Sequence, residues 1–283
     1  MASARPVARI FTAKPTLEGA GVHLKRAFGY HETQALDPFL LLDDFHSDTP
    51  DDYLAGFPWH PHRGIETVSY LLQGSVEHGD SLGNRGVIAA GDVQWMTAGS
   101  GIVHQEMPKG DNGSLWGFQL WVNLPRSHKM MAPRYQEVKG ASIPVVRVDG
   151  GASVRVIAGT AHGVHGPVRE VIADPIFLDV TLPANASYAQ LIQPDHTAFA
   201  YVIQGRGTFG AQGERMIGQE SVVLFGDGDR VAATSEEQGC RFLLVAGKPL
   251  REPIAWYGPI VMNTRQELDI AFEEYQKGTF LKH

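Results

Sequence analysis

The chain has 283 residues, 43% hydrophobic and 19% charged, with a mean hydropathy of −0.14. That much apolar side chain excludes a disordered chain, and the length suits two domains or one large one. A net charge of −7 and a pI of 5.9 argue against general affinity for nucleic acid or anionic membranes. The single cysteine, Cys240, excludes an internal disulfide and any metal site built on several cysteines. With twelve histidines in the chain, a bound metal would have to be held by His, Asp or Glu.

The N-terminal run MASARPVARIFTAKPTLEG has basic residues but no apolar core of signal-peptide length. The longest apolar runs, PFLLL from Pro38 and VVLF from Val222, fall far short of the roughly 18–20 residues that span a bilayer. A cytosolic location is expected, or a nuclear one if the source is eukaryotic. Strand-length runs follow one another: Thr67–Leu72, Val93–Met96, Trp116–Val122, Val145–Val148, Val154–Ile157, Ile176–Leu182, Ala198–Ile203, Ser221–Phe225 and Arg241–Ala246. Most end at Gly, Asn, Asp or Pro, which predicts an all-β sandwich or barrel. Helical periodicity is confined to the end. Thr264 is a candidate N-cap with Glu267 three residues on, Gly278 is a candidate C-cap, and Leu268, Ile270, Ala271, Phe272 and Tyr275 supply an apolar face.

A weak internal repeat runs through the strands. Tyr70-Leu-Leu-Gln-Gly74 parallels Tyr201-Val-Ile-Gln-Gly205, Gly83-Asn-Arg85 parallels Gly213-Glu-Arg215, and Val93-Gln-Trp-Met96 parallels Val222-Val-Leu-Phe225. The offsets are 201 − 70 = 131, 213 − 83 = 130 and 222 − 93 = 129. A nearly constant offset close to half the chain indicates duplication of one β unit. The break is expected near Met130–Pro144, where Pro133, Gly140 and Pro144 interrupt the pattern.

Two short segments carry potential metal chemistry. Phe57-Pro-Trp-His60-Pro-His62-Arg-Gly-Ile-Glu66 is followed by Thr97-Ala-Gly-Ser-Gly-Ile-Val-His104-Gln-Glu106. Residues i and i+2 of a strand share a face, so His60 with His62, and His104 with Glu106, can each project together. If the two strands face each other, four donors converge. Three imidazoles and a carboxylate suit Fe, Mn, Co, Ni, Cu or Zn rather than Ca or Mg. One His-x-His pair is a weak signal in a histidine-rich chain; a second pair about forty residues on is what strengthens it. Glu66 shares the parity of His60 and His62, and its role as ligand, histidine-orienting acceptor or core-edge carboxylate stays open.

The segments His60–Gly74, Gly91–Gly101, His104–Pro108 and Leu120–Leu124 closely resemble the pirins, as do Leu36–Asp43 and Gly258–Asn263. The resemblance runs along nearly the whole chain. It implies two tandem cupin barrels (double-stranded β-helix, or jelly-roll), with a short C-terminal helix. Residues 1–135 would form the metal-binding barrel, and 145–283 a barrel without metal ligands that ends in the helix. It further implies one non-haem divalent transition metal, Fe(II) foremost, held by His60, His62, His104 and Glu106, with Glu66 outside that set. The asparagine that usually ends the second general cupin motif is replaced here by Glu106, a departure shared with pirins. In the second copy the 131 and 129 offsets place Leu191, Gln193, Ala233 and Ser235 at the four ligand positions, so no ligand survives there. His196 lies nearby but isolated.

Pirin-like bicupins resemble quercetin 2,3-dioxygenases. That implies a flavonol substrate, dioxygen as co-substrate, ring cleavage with carbon monoxide release, and Glu106 as the catalytic base. Phe57, Trp59, Trp95 and Met107 are candidates to line a pocket for a flat aromatic substrate. The resemblance also implies a second role, an iron-dependent, redox-responsive regulator that binds a protein partner. The acidic chain makes direct nucleic-acid binding unexpected.

Other motifs read as structural. Gly205-Arg-Gly207-Thr-Phe-Gly210 matches G-x-G-x-x-G but sits among strands, so a hairpin turn is expected rather than a dinucleotide loop. Gly99 and Gly101 are expected to permit a tight bend before the His104 strand. Cys240 reads as a buried inert thiol. His162 and His165 read as members of a solvated glycine-rich loop.

Overall fold

The short β-branched and aromatic runs form strands, and many of the intervening glycines take the positive φ angles that turns require. The computed structural model describes residues 3–211 and 215–282. In chain order it begins with β1 (Val7–Thr12), β2 (Lys14–Glu18), β3 (Val22–Phe28), a single helical turn α1 (Thr33–Leu36) and β4 (Phe39–Ser47). Then come β5 (Phe57–His62), β6 (Ile65–Gln73), β7 (Ser75–Asp80), β8 (Arg85–Ala89), β9 (Val93–Thr97), β10 (Ile102–Lys109), β11 (Leu115–Asn123) and β12 (Arg134–Val138). The trailing half runs through β13 (Val145–Arg147), β14 (Ser153–Ala158), β15 (Thr160–Ala161), β16 (Val164–His165), β17 (Ile176–Leu182) and β18 (Ser187–Leu191). It continues with β19 (Thr197–Phe209), β20 (Met216–Gly218), β21 (Ser221–Phe225), β22 (Arg230–Gly247), β23 (Ala255–Tyr257), β24 (Ile260–Met262) and the helix α2 (Arg265–Gln276). No helix among the described residues is long and apolar enough to cross a membrane.

The duplication is visible in the hydrogen-bonded strand order. One sheet reads β12-β9-β6-β11-β4-β3-β2 and the other β1-β21-β19-β22-β17-β14-β13. Register agrees with the sequence repeat: Tyr70 pairs with Val93, and Tyr201 with Val222. Facing the first sheet lies β5-β10-β7-β8; its counterpart is made by β18, β20 and the outer halves of β19 and β22. These are two cupin barrels, each a strand sandwich with its own interior. Of the second repeat match, Gly213 and Glu214 lie outside the described residues.

The grouping of segments departs from the chain-order division 1–135 and 145–283. The trailing barrel, Ala141–Pro249, also takes in the chain up to Lys14 and Ala27–Pro38; the leading barrel takes in Leu250–His283. Strand pairing is the reason. β1 closes the trailing sheet against β21, and β24 docks on the leading barrel through the Arg63–Ile260 bridge. Helix α2 therefore belongs with the leading barrel. Thr264 caps it, accepting from the Glu267 amide, while the Glu267 carboxylate returns to the Thr264 amide. Leu268 and Ala271 are buried and Phe272 packs beside them, whereas Ile270, expected on the same face, is exposed. At 100° per residue it falls off the stripe that Leu268 begins.

The two interiors differ in kind. The trailing barrel is filled by a contiguous apolar cluster that includes Val180, Val202, Phe209, Val231, Ala233, Phe242 and Leu244. The leading barrel buries Glu66, Ser69, His78, Gln94, His104 and Glu106. The swap can be read pair by pair: Glu106 opposite His78 in one barrel becomes Ala233 opposite Phe209 in the other. The Gly205–Gly210 motif is not a hairpin turn. Gly205 and Gly207 lie inside β19 at two register shifts, where a Cβ would meet Gly239 O at 2.2 Å and Thr234 O at 2.6 Å. Cys240 is buried, which pushes its thiol up to about 12.

Lys129 holds the leading barrel's seam. Its buried Nζ donates to Gly64 O at 2.9 Å, Asn123 Oδ1 at 2.8 Å and Val261 O at 2.9 Å. Burial pulls its pKa from 10.5 down to about 7. Between pH 7 and 9 the folded chain therefore binds fewer protons at this site than the unfolded chain, so stability rises with pH. Lys129→Met should cost about 2–3 kcal/mol at pH 7, because three buried acceptors lose their donor. The gap to the parent should widen by roughly 2 kcal/mol at pH 9, measured by urea denaturation at both values. A gap that narrows with pH would reverse the sign assigned here.

Candidate metal centre

β5 and β10 run antiparallel with His104 directly opposite His60 and Ile102 opposite His62. The i, i+2 parity of His60 and His62 places both rings on one side, where His104 meets them. One ring nitrogen from each of the three lies within 4.8 Å of the others. Ring centroids are 4.8 Å apart for His60–His62, 4.5 Å for His60–His104 and 5.1 Å for His62–His104. His62 and His104 are each 1% exposed, while His60 is half-buried and opens to solvent.

The backbone sets the tautomers. His60 Nδ1–H donates to Pro58 O at 2.8 Å, and His62 Nδ1–H donates to Pro259 O at 3.0 Å. Each ring then turns an Nε2 lone pair inward, and the two Nε2 atoms stand 3.1 Å apart. Neither ring nitrogen of buried His104 has a hydrogen-bond partner. Burial, then the neighbouring imidazoles, hold His62 and His104 well below the usual histidine pKa, so both stay neutral at pH 7. Converging ring nitrogens, two of them on buried neutral imidazoles, are what a borderline metal ion satisfies, and the donor set fits one. Gly99 and Gly101, at φ +50° and +140°, form the expected bend before β10; a Cβ on Gly99 would sit 2.1 Å from Met131 O.

Glu106 is not part of the three-nitrogen group. Its Oε1 accepts from Ser69 Oγ at 3.0 Å and its Oε2 from Gln119 Nε2 at 3.0 Å. Gln119 Oε1 accepts in turn from Trp121 Nε1 at 3.2 Å, and the Trp121 ring meets His62 edge-on at 5.1 Å. One chain of side chains thus joins Glu106 to a histidine ring. Sequence reading missed Ser69, Gln119 and Trp121. The i, i+2 parity of Gln119 and Trp121 on β11 was a usable signal, but the Ser69–Gln119 pairing exists only in the sheet.

Glu66 is buried away from the histidines. It lies opposite Thr97, whose hydroxyl donates to Oε1 at 2.6 Å, and burial pushes its pKa up. Of the aromatic candidates, Trp59 is 51% exposed beside His60, whereas Trp95 is sealed in the core. Phe57 borders a small internal void of about 20 Å³ with Glu106, Ser69 and Gln119, room for about one water. Trp121 packs against Trp256 at 5.8 Å.

The Pirin family model matches residues 21–122, and that of the pirin C-terminal cupin domain matches 177–281. The chain belongs to the pirin family. A pirin-like protein of Caulobacter vibrioides is 47% identical over 98% of this chain and 99% of its own length. A Pseudomonas aeruginosa protein, provisionally named a quercetin 2,3-dioxygenase, is 42% identical over 97% of both chains. The crystal structure of a quercetin 2,3-dioxygenase from Acinetobacter baumannii superposes with a TM-score of 0.89 at 32% identity, covering 98% of this chain and 99% of that one. The pirin assignment agrees with the imidazole cluster in the leading cupin.

Elemental analysis provides the test. His62→Ala and His104→Ala should each abolish stoichiometric metal in the purified protein. Gln119→Leu, which frees Glu106 and Trp121, should weaken metal affinity by about tenfold. Undiminished metal in both histidine variants would place the ion elsewhere.

Proposed function

We propose that this pirin is a metal-dependent dioxygenase that cleaves flavonols such as quercetin, with iron(II) as the resident ion and Glu106 as its fourth ligand and base. The observation that carries this reading is the His60–His62–His104 cluster, in which His62 and His104 are buried and neutral and half-buried His60 opens to solvent. When bound, a divalent transition ion would draw charge from a flavonol's 3-hydroxyl and make it easier to deprotonate. The names of the similar proteins support the substrate class.

The chain's own residues divide the work. His60 and His62, locked by Pro58 O and Pro259 O, present acceptors without rearrangement. Glu106 takes the hydroxyl proton, and Ser69 and Gln119 hold its carboxylate in place. The internal void beside Glu106 is too small for a flavonol, so the substrate approaches from the His60 side. The atoms balance: both atoms of dioxygen are incorporated, the heterocycle opens, and one carbon leaves as carbon monoxide.

The test is loss of quercetin absorbance in air, with carbon monoxide collected. Iron-loaded protein should consume quercetin and His62→Ala should not. Glu106→Gln should lower kcat by about a hundredfold or more while part of the metal is retained. Full turnover in metal-loaded Glu106→Gln would remove its role as base. Absence of turnover across iron, manganese, nickel and copper forms would overturn the enzymatic reading in favour of the redox-responsive partner-binding role.

A further inference from the structure

The His62 ring touches more than the other imidazoles. Trp121 meets it edge-on with ring centroids 5.1 Å apart, and Trp256 packs on Trp121 at 5.8 Å. Both separations lie within the roughly 4.5–7 Å of ordinary aromatic contact. Trp121 stands on β11 with the inward parity of Gln119. Trp256 stands on β23, which pairs with β24, and β24 is bridged to Arg63 through Ile260. Both indoles are half-buried and pack with Leu40, Ile65, Ile254 and Val261. Tyr257, the next residue, is 67% exposed. A line of aromatic rings thus runs from a buried ligand towards the surface of the leading barrel.

The chemistry of these rings goes beyond filling space. An indole gives up one electron far more readily than a phenyl ring or any aliphatic side chain. Trp121 Nε1–H donates to Gln119 Oε1 at 3.2 Å, and Trp256 Nε1–H donates to Gly258 O at 2.7 Å. An amide oxygen is too weak a base to remove the indole proton, even from an oxidised ring. Each ring therefore keeps its N–H when it loses an electron, and it takes the electron back without waiting for a proton.

The trailing barrel serves as an internal control. Sheet register, which sees loop-length changes that a linear offset does not, identifies the matched positions. His104 pairs with His60 in one barrel, and Val231 pairs with Gln190 in the other. Ile102 pairs with His62, and the Ile192 amide bonds to Asp229 O at 2.9 Å. The counterparts of His60, His62, His104 and Glu106 are therefore Gln190, Ile192, Val231 and Ala233, not Leu191, Gln193, Ala233 and Ser235. Eight positions separate His62 from Tyr70 (70 − 62 = 8) but nine separate Ile192 from Tyr201 (201 − 192 = 9), which accounts for the slip on the first strand. Trp121 pairs with Thr67, and Ala246 pairs with Ala198, so Ala246 stands in the place of Trp121. The barrel without the histidines also lacks the indole. The remaining tryptophans are placed differently. Trp59 has the opposite parity to His60 and His62, Trp95 is sealed in the core, and Trp116 stacks on His46 at 4.1 Å.

We propose that Trp121 and Trp256 form a path for single electrons between the metal centre and the surface of the leading barrel, separate from the opening at His60. The path rests on the metal reading of the histidine cluster and not on the flavonol reaction. An external one-electron oxidant takes an electron from Trp256 and leaves an indole radical cation. Trp121 refills Trp256, and Trp121 is refilled through the His62 ring, with oxidation of ferrous iron to ferric. In sum iron loses one electron and the external oxidant gains one; no bond forms or breaks and no proton moves. A one-electron reductant at the same face reverses each step. The redox state of the centre is thereby set from the Trp256 side, which leaves the His60 side free for other ligands.

Flash-quench photolysis with a ruthenium tris(bipyridine) oxidant tethered beside Trp256 tests the path. Tyr257→Cys supplies the attachment point, because the chain's own thiol, Cys240, is buried. In the full-length, iron(II)-loaded protein the flash should raise an indole radical, seen by transient absorbance. As that radical decays, ferric iron should appear by electron paramagnetic resonance, at a rate independent of protein concentration. In the metal-free protein the radical should persist, since nothing refills it. Trp121→Phe and Trp256→Phe should each slow ferric formation per bound iron by about tenfold or more. Trp256→Tyr, which restores an oxidisable ring of similar bulk, should recover part of that rate, and Trp59→Phe should leave the rate unchanged. Ferric formation at the parent rate in both phenylalanine variants would overturn the path, as would equal slowing in Trp256→Tyr and Trp256→Phe. If Trp121→Phe loses its iron, the Trp256 pair of variants decides. Absence of iron from the parent chain would overturn the metal centre itself; bound iron with unaltered rates would overturn the path alone.

Discussion

Two imidazole nitrogens 3.1 Å apart, each presenting a lone pair because a backbone carbonyl holds the proton on the ring's far side, are the constraint around which the leading barrel is built. A third ring, His104, is buried beside them with both nitrogens unpartnered. Left to itself such a cluster costs free energy through lone-pair repulsion and unsatisfied burial. The scaffold bears that cost by over-determining the ligand strands. Arg63, next to His62, donates to Ser100 O, Glu274 and Phe280 O, so β5 is tied to the bend before β10 and to the tail beyond α2. Lys129 ties Gly64 and Val261 to the same seam. Rigid placement of this kind is what lets a metal centre form without reorganisation.

The chain's ends matter to this arrangement. The carbonyl that orients His62 belongs to Pro259, between β23 and β24, almost two hundred residues away in sequence. Helix α2 packs its Leu268 and Ala271 into the same cluster as Ile260 and Met262. The C-terminal segment is thus part of the leading barrel, and the orientation of His62 depends on it.

Duplication produced two sheets with the same strand order and two different interiors. In the leading barrel, polar residues project inward and satisfy one another through Ser69, Gln119 and Glu106. In the trailing barrel the positions equivalent to Ser69, Gln119 and Glu106 carry Ala200, Leu244 and Ala233, which pack in an apolar core. A polar interior trades stability for chemistry; an apolar one does the reverse. The copy without the histidine cluster has an open cleft at Gln190 and Ile192.

Strand runs such as Ile176–Leu182 and Ser221–Phe225, the Thr264–Glu267 cap, the Tyr70/Tyr201 repeat and the pairing of His60 with His62 were legible in the sequence. Each depends on local periodicity, on a short-range hydrogen bond or on a few identities, all of which survive in one dimension. The opposition of His104 to His60, the hold of Ser69 and Gln119 on Glu106, and the distance of Glu66 from the rings were decided by cross-strand register. So were the true counterparts of the ligands in the second barrel, because one extra residue in a loop slides a strand past its expected partner and turns side chains to the other face. The grouping of β1 and α2 with the opposite halves was also a tertiary outcome: an edge strand and an amphipathic helix state what they need to cover them, but not which barrel supplies it.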